Sequence, residues 1–255
     1  MSPRLTPTIL RFDSLPSTNT EAARQAALGA PEGLCVVARE QTAGRGRQQR
    51  AWVSPKDAGL YFSIILRPSF EMREWPLVTL AAALAVRESL IEACAIETDI
   101  KWPNDLLAGG RKLCGILAET VEDARSRAVV LGVGINLTNR SFPPEILDTA
   151  TSVEEQTGRA TEVEQLLHAL TRSLALNYET LHTPGGASRI VREWEAHSSF
   201  ARDRPVRVAL AREIFEGTTR GLEPDGALRV ETDAGQLRIV RAGDVTGIRQ
   251  VNVDK

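Results

Sequence analysis

Near residue 200 the sequence changes texture. Up to that point apolar runs alternate with long helical patterns. Beyond it, "RPVRVALAREIFEGTTRGLEPDGALRVETDAGQLRIVRAGDVTGIR" is a series of short alternating runs separated by turn signals, including Asp225-Gly226 and Ala234-Gly235. Strands that short and that regularly spaced predict a small β-barrel. Residues 1–200 mix helices with a sheet and show no long repeat. A chain of 255 residues accommodates a larger domain followed by a small one. The expected fold is therefore α+β: a mixed sheet with flanking helices over residues 1–200, then a β-barrel over 201–255.

Within the larger part, "TILRF" reads as a first strand and "STNTEAARQAALGA" as a helix, with Thr18 and Glu21 at capping-box spacing and Gly29 as its stop. "GLCVVARE" and "LYFSIILRP" are apolar strands, the second rich in aromatic and β-branched residues. "EWPLVTLAAALAVRESLIEAC" is a helix with Pro76 near its first turn, where a missing N–H costs little. "TDIKWPNDLLAGGRKLCGILAETV" predicts strand, turn, strand, reversing at Gly109-Gly110. "RAVVLGVGINLT" is a buried strand whose Gly132 and Gly134 predict close approach of another backbone or a ligand. A polar, proline-containing connection, "NRSFPPEILDTATSVEEQTG", leads to a long helix at "TEVEQLLHALTRSLALNYETLH", opened by a second capping box, Thr161 with Glu164.

Between the two apolar strands lies "TAGRGRQQRAW", which gathers Arg45, Arg47 and Arg50 at the edge of the sheet. The whole chain is nearly neutral, with 31 Lys and Arg against 33 Asp and Glu, so nothing global points to nucleic acid or a membrane surface. A local basic cluster implies a small anionic target. Glycines let backbone N–H groups approach an anion, and guanidinium forks hold phosphate or carboxylate oxygens bidentately. The bland alternative is a solvated surface loop; Trp52 and the strand after it, which anchor the loop to a core, weigh against that.

Other clusters are ambiguous on their own. In "KWPNDLL", Pro103 biases Trp102 towards extended geometry and Asn104-Asp105 falls at a turn. Lys101 and Asp105 form either a structural ion pair or contacts to a nucleotide and its metal. Lys112, after a glycine turn and before an apolar strand, is either paired or ligand-binding, or sits at an exposed strand end. Ser17-Thr18-Asn19 cap a helix or present hydroxyls and N–H groups to a ligand. Asn136 is a turn residue or a ligand contact. The three cysteines, Cys35, Cys94 and Cys114, have neither metal-site nor redox-pair spacing and read as buried free thiols in a reducing compartment. "MSPRLTPTILRFDSLPST" lacks the charged and apolar regions of a secretory signal, and "LVTLAAALAV" is too short to span a bilayer. The expected location is cytoplasmic.

Order and spacing carry more than any one cluster. "STN" at 17–19, "QTAGRGR" at 41–47, "RAWVSP" at 50–55, "GLYFSIILRP" at 59–68, "KWPNDLL" at 101–107, "GRKLCGILAE" at 110–119 and "GVGIN" at 132–136 follow one another in a single series. In these the chain resembles the biotin protein ligases, the biotin–[acetyl-CoA-carboxylase] ligases, over most of its first 140 residues. The tail resembles that family's SH3-like C-terminal domain. In one respect the sequence departs from the pattern: Gln49 stands where the family usually has glycine, and Gln48 where it often has a basic residue. Bifunctional members carry an N-terminal winged-helix domain that binds DNA; here the ligand motif begins at Ser17, so the expectation is a monofunctional ligase with no DNA partner.

The resemblance implies that biotin and ATP, with Mg²⁺ on the polyphosphate, form biotinyl-5′-adenylate. Biotin is then transferred to one lysine of a biotin carboxyl carrier protein. It implies biotin contacts from Ser17, Thr18, Asn19, Gln41, Gly44, Arg45, Gly46, Arg47, Lys112 and Gly115. Nucleotide contacts fall to Arg47, Arg50, Trp52, Lys101, Asn104 and Asn136. Arg45 and Lys112 are the catalytic cations that bring two repelling anions together, and no protein side chain is assigned to the metal. Asp105 is the expected group to orient the incoming lysine or take its proton, since a free amine with pKa about 10.4 is almost wholly protonated at pH 7. A lipoate-type ligase and a non-catalytic biotin- or nucleotide-binding module remain as alternatives, and a homodimer is left open.

Overall fold

The structure, a computed structural model, describes residues 5–122 and 127–247. The last eight residues of the expected tail domain therefore lie outside the described residues. Strand β1 (Thr8–Phe12) leads through helix α1 (Thr18–Ala27) to β2 (Leu34–Ala38), which pairs with β1 in parallel. The remaining strands of this sheet are antiparallel: β3 (Gly59–Leu66), β4 (Asp99–Lys101), β5 (Asp105–Ala108), β6 (Arg111–Glu122) and β7 (Arg127–Asn136), in the order β1-β2-β3-β7-β6-β5-β4. "TDIKWPNDLLAGGRKLCGILAETV" thus forms three strands rather than two. The chain reverses once through "WPND", where the Trp102–Pro103 peptide bond is cis, and again at Gly109-Gly110.

Both faces of the sheet are covered, and the period-two alternation of each strand sorts residues between them. Leu60, Phe62, Ile64 and Leu66 of β3, with Leu131, Val133 and Ile135 of β7, face α2 (Leu77–Cys94) in the larger core. Ile65 and Val130 face the other way, with Val36, against Ala22 and Ala26 of α1. Helix α1 is short, so its face of the sheet is left open beyond the helix start. The site lies there.

After β7 come α3 (Val153–Thr157), α4 (Val163–Leu181) and α5 (Gly186–Ala196). Helix α5 has no side-chain cap and is not among the expected elements, although Ala187, Ile190, Val191 and Trp194 recur at helical spacing. Both expected capping boxes are displaced. Ser17, not Thr18, caps α1, accepting from Thr20 N. Helix α4 starts from Glu162 with no side-chain cap, and Thr161 Oγ1 is buried without a partner.

The tail forms a five-stranded antiparallel sheet of β8 (Arg202–Ala209), β9 (Ile214–Leu222), β10 (Leu228–Glu231), β11 (Leu237–Val240) and β12 (Asp244–Gly247), in the order β11-β10-β9-β8-β12. Asp225-Gly226 and Ala234-Gly235 make two of its reversals, as their turn chemistry predicts. The tail is docked firmly. Val206, Val208, Leu228 and Val230 join the core that contains α2, and Trp102 Nε1 donates to Gly226 O at 3.0 Å. No helix among the described residues is long and apolar enough to cross a membrane.

Candidate active site

Two cross-strand rows with glycines at their middle floor the open part of the sheet. In one, Asp105 (β5), Gly115 (β6), Gly134 (β7) and Tyr61 (β3) are successive partners; in the next, Leu117, Gly132, Ser63 and Val36. The glycines of "GVGIN" are there because side chains lie flat on them. A Cβ at Gly132 would sit 2.1 Å from Asn19 Oδ1, and one at Gly134 2.6 Å from Trp52 Nε1. What approaches closely is therefore neither a backbone nor a ligand but two residues of the site itself.

Asn19, nearly fully buried, is held on three sides. Its Oδ1 accepts from Ser63 Oγ at 2.6 Å, and its Nδ2 donates to Glu119 Oε2 at 2.8 Å and Leu117 O at 3.3 Å. Gln41 joins the start of α1 to the arginine loop: Oε1 accepts from Thr18 N at 2.8 Å and from Thr18 Oγ1 at 3.1 Å, while Nε2 donates to Ser54 Oγ at 2.8 Å.

The loop leaves from the ends of the second and third strands of seven, so it stands over the end of the sheet and not at its lateral edge. It closes on itself as a small hairpin, with Trp52 N donating to Gly44 O at 2.9 Å and Gly46 N to Arg50 O at 2.7 Å. Gly44 lies behind the cleft at the base of this hairpin, where a Cβ would meet Trp52 O at 2.3 Å. At its tip a 3₁₀ turn over Arg47–Gln49 puts Gln48 (φ 53°) and Gln49 (φ 60°) in the left-handed region. That region disfavours any residue with a Cβ by about 1–2 kcal/mol, which gives the glycine usual at the second position a physical reason.

Lys112 reaches the floor through a β-bulge. Leu106 and Leu107 of β5 face Cys114 and Lys112, so Leu113 is an extra residue in β6. Without it Lys112 would share the face of Cys114 and Ile116 and point into the core; with it Lys112 joins Gly115 and Asp105. Its Nζ lies 2.6 Å from Asp105 Oδ1, an ion pair by distance without the alignment of a hydrogen bond, and 5.3 Å from the Trp52 ring centre.

These elements line a cleft that opens to solvent. Its charges are largely matched: Arg45 pairs with Glu119, Arg50 with Asp244, and Lys112 with Asp105. Among the described residues Arg47 contacts only neutral oxygens, Asn104 Oδ1 at 3.2 Å and Gly243 O at 3.3 Å, and burial lowers its pKa. Lys101 does not pair with Asp105. It is not among the residues that line the cleft; its Nζ lies 5.8 Å from the Phe200 ring centre, with no carboxylate partner among the described residues and a pKa lowered by burial. Among the described residues, Arg47 and Lys101 thus have no carboxylate within ion-pair distance. Among the described residues no three His, Cys, Asp or Glu side chains are grouped to hold a metal.

Of the residues singled out from sequence, Ser17, Thr18, Asn19, Gln41, Arg45, Gly46, Arg47, Arg50, Trp52, Asn104, Asp105, Lys112 and Gly115 line this cleft. Asn136 does not: buried behind Lys112, its Nδ2 donates to Thr151 O at 3.0 Å and Lys112 O at 3.4 Å, tying the strand pair to the segment before α3. Two carboxylates were missed. Glu119 stands at the end of a quoted motif with no role assigned. Asp244, in "GDVTG" of the tail, carries no local signal at all. The cysteines are free; burial pushes the thiols of Cys35 and Cys114 well up, Cys35 to about 12, and raises that of the half-buried Cys94 less.

Comparison with known proteins matches residues 11–136 to the biotin/lipoate A/B protein ligase family and residues 203–246 to the biotin protein ligase C-terminal domain. The bifunctional ligase/repressor BirA of Bacillus subtilis is 37% identical over 237 residues, 92% of this chain and 72% of that one. The biotin–[acetyl-CoA-carboxylase] ligase of Mycobacterium tuberculosis is 34% identical over 91% of this chain and 86% of its own length. Among solved structures, the biotin protein ligase from Aquifex aeolicus in complex with biotin and ATP superposes with a TM-score of 0.82 at 28% identity, covering 96% of this chain and all of that one.

Proposed function

The chain belongs to the biotin/lipoate A/B protein ligase family, and from that membership we propose that it is an ATP-dependent biotin–protein ligase. It joins biotin to ATP as biotinyl-5′-AMP and transfers the biotinyl group to one lysine of a biotin carboxyl carrier protein, with acetyl-CoA carboxylase as the enzyme served, as in the Mycobacterium relative's name. The observation that carries this reading is the convergence of Arg45, Arg47, Arg50 and Lys112, from two separate segments, on one cleft with a flat glycine floor. Residues 1–200 are read as the catalytic domain and 201–255 as the C-terminal domain.

In the first step a carboxylate oxygen of biotin attacks the α-phosphorus of ATP and pyrophosphate leaves. Both reactants are anions, so the work of the site is to hold them in line and offset their repulsion. Lys112, re-aimed by the bulge, and Arg45 flank the carboxylate; Arg47 and Arg50, with Lys101 behind them, take the polyphosphate. Mg²⁺ enters as part of the nucleotide substrate. Closure of the arginine hairpin keeps water from the mixed anhydride.

In the second step a lysine amine attacks the acyl carbon and AMP leaves. Asp105 is placed for the proton: once the adenylate occupies Lys112, this carboxylate is released to accept from the incoming ammonium. Incubation with ATP, biotin and a carrier domain, followed by intact-mass analysis, tests the reading. One added biotinyl group on one lysine is expected; an unmodified carrier in the presence of folded enzyme refutes it. Lipoate is the rival acid within the same family, and the biotin ligases among the relatives support biotin over it.

A further inference from the structure

The tip of the arginine hairpin has no fully buried residue. Arg47 is half-buried, and the two glutamines after it are exposed and in an unfavourable backbone region. The hairpin's closed position therefore rests on polar contacts made outside the loop. Two lie in the same domain: Asn104 Oδ1 accepts from Arg47 Nη1, and Glu119 pairs with Arg45. The others come from the tail: Gly243 O accepts from Arg47 Nη1 at 3.3 Å, and Asp244 pairs with Arg50.

The tail is built to present this pair rigidly. Asp244 begins β12, opposite Ala209 of β8. Gly243 has φ +147°, and a Cβ there would lie 2.9 Å from Ala209 O, so only glycine carries the chain into β12 at this angle. The tail sheet is fixed in turn by the shared core and by Trp102 on Gly226. Asp244 is 29% exposed and lines the cleft beside the substrate-facing arginines.

We propose that Asp244 is a positioning residue through which the C-terminal domain latches the arginine hairpin over the cleft, holding the Arg50 fork ready for the polyphosphate. The carboxylate stands in for phosphate before the nucleotide arrives. When ATP takes the Arg50 guanidinium, the Gly243 carbonyl still holds Arg47, so the hairpin stays down while its charge is handed over. The consequence for catalysis rests on the ligase reading; the latch itself does not.

The test uses the full chain with Asp244→Asn, which keeps size and removes charge, and Asp244→Glu as the conservative variant. Without ligands, limited trypsin digestion read by mass spectrometry reports cutting after Arg45, Arg47 and Arg50. Arg50 is 64% exposed, so its ion pair is screened; cutting in Asp244→Asn is expected to be about two- to fivefold faster. Asp244→Glu should bring it back, and the unfolding temperature should be unchanged. With biotin and ATP, the KM for ATP and the escape of free adenylate should rise by a similar factor, with the KM for biotin unaltered. Wild-type cutting together with wild-type adenylate escape in Asp244→Asn overturns the proposal. Faster loop cutting in a protein that makes no adenylate would keep the latch and remove the ligase reading.

Discussion

Replacing Gly132 by alanine tests the site's construction from the floor upward. The new Cβ would lie 2.1 Å from Asn19 Oδ1 and 2.9 Å from its Cγ, well inside contact distance. The neighbour is a short side chain fixed by three hydrogen bonds, and Asn19 must leave its place. Overpacking of this kind costs about 1–3 kcal/mol. Losing the bonds to Ser63, Leu117 and the charged Glu119 adds about 1 kcal/mol apiece before water recovers part of it. A loss of about 2–4 kcal/mol in unfolding free energy is expected, with the denaturant slope unchanged. Glu119 also holds Arg45, so the KM for biotin should rise about tenfold or more through a residue that no substrate need touch. Asn19→Ala removes the clashing atoms. The double variant should therefore be no less stable than Asn19→Ala alone, a coupling of at least about 2 kcal/mol. A Gly132→Ala protein within about 0.5 kcal/mol of wild type, or strict additivity in the cycle, would refute the close-approach argument.

Lys112→Met should lower biotin-dependent pyrophosphate release by about 10²- to 10³-fold, the scale of losing one preorganised electrostatic contact, measured by a coupled pyrophosphate assay. Asp105→Asn should slow transfer from preformed biotinyl-5′-AMP to the carrier by about 10²-fold or more and spare adenylate formation relatively, seen in single-turnover kinetics. Gln49→Gly removes a left-handed cost of about 1 kcal/mol but adds chain entropy of similar size; kcat/KM should move less than about threefold, and a tenfold gain would mean that the strained turn limits closure. Biotin alone at 100 times its Kd should raise stability by about 2.7 kcal/mol, whereas lipoate at the same concentration should not, read by thermal unfolding.

The fold was legible where local chemistry and global pattern agree. The change of texture near residue 200, the apolar strands at "GLCVV" and "LYFSIIL" and the long helix after Pro76 each satisfy propensity and burial together. Two helix starts were misplaced by one residue because Ser17 and Thr18 are both competent caps, and Thr161 offers a cap the chain does not use. Helix α5 lacks a side-chain cap, and its only signal is the spacing of Ala187, Ile190, Val191 and Trp194, of which Ile190 and Trp194 are fully buried. In the site, the residues on contiguous motifs were found. The bulge that turns Lys112 outward was not, since one extra residue in a strand leaves no mark on the amino-acid pattern. Asp244 was out of reach for a plainer reason: its meaning comes from Arg50, 194 positions away in the chain.

The central claim stands or falls on the acid that the cleft activates. Purified protein with Mg²⁺ and ATP should be given biotin, lipoate or no acid, with pyrophosphate release followed and the bound product weighed. Release with biotin alone, accompanied by the mass of biotinyl-5′-AMP, is the predicted result. Release with lipoate, or none with either acid from folded protein that binds biotin, would contradict it.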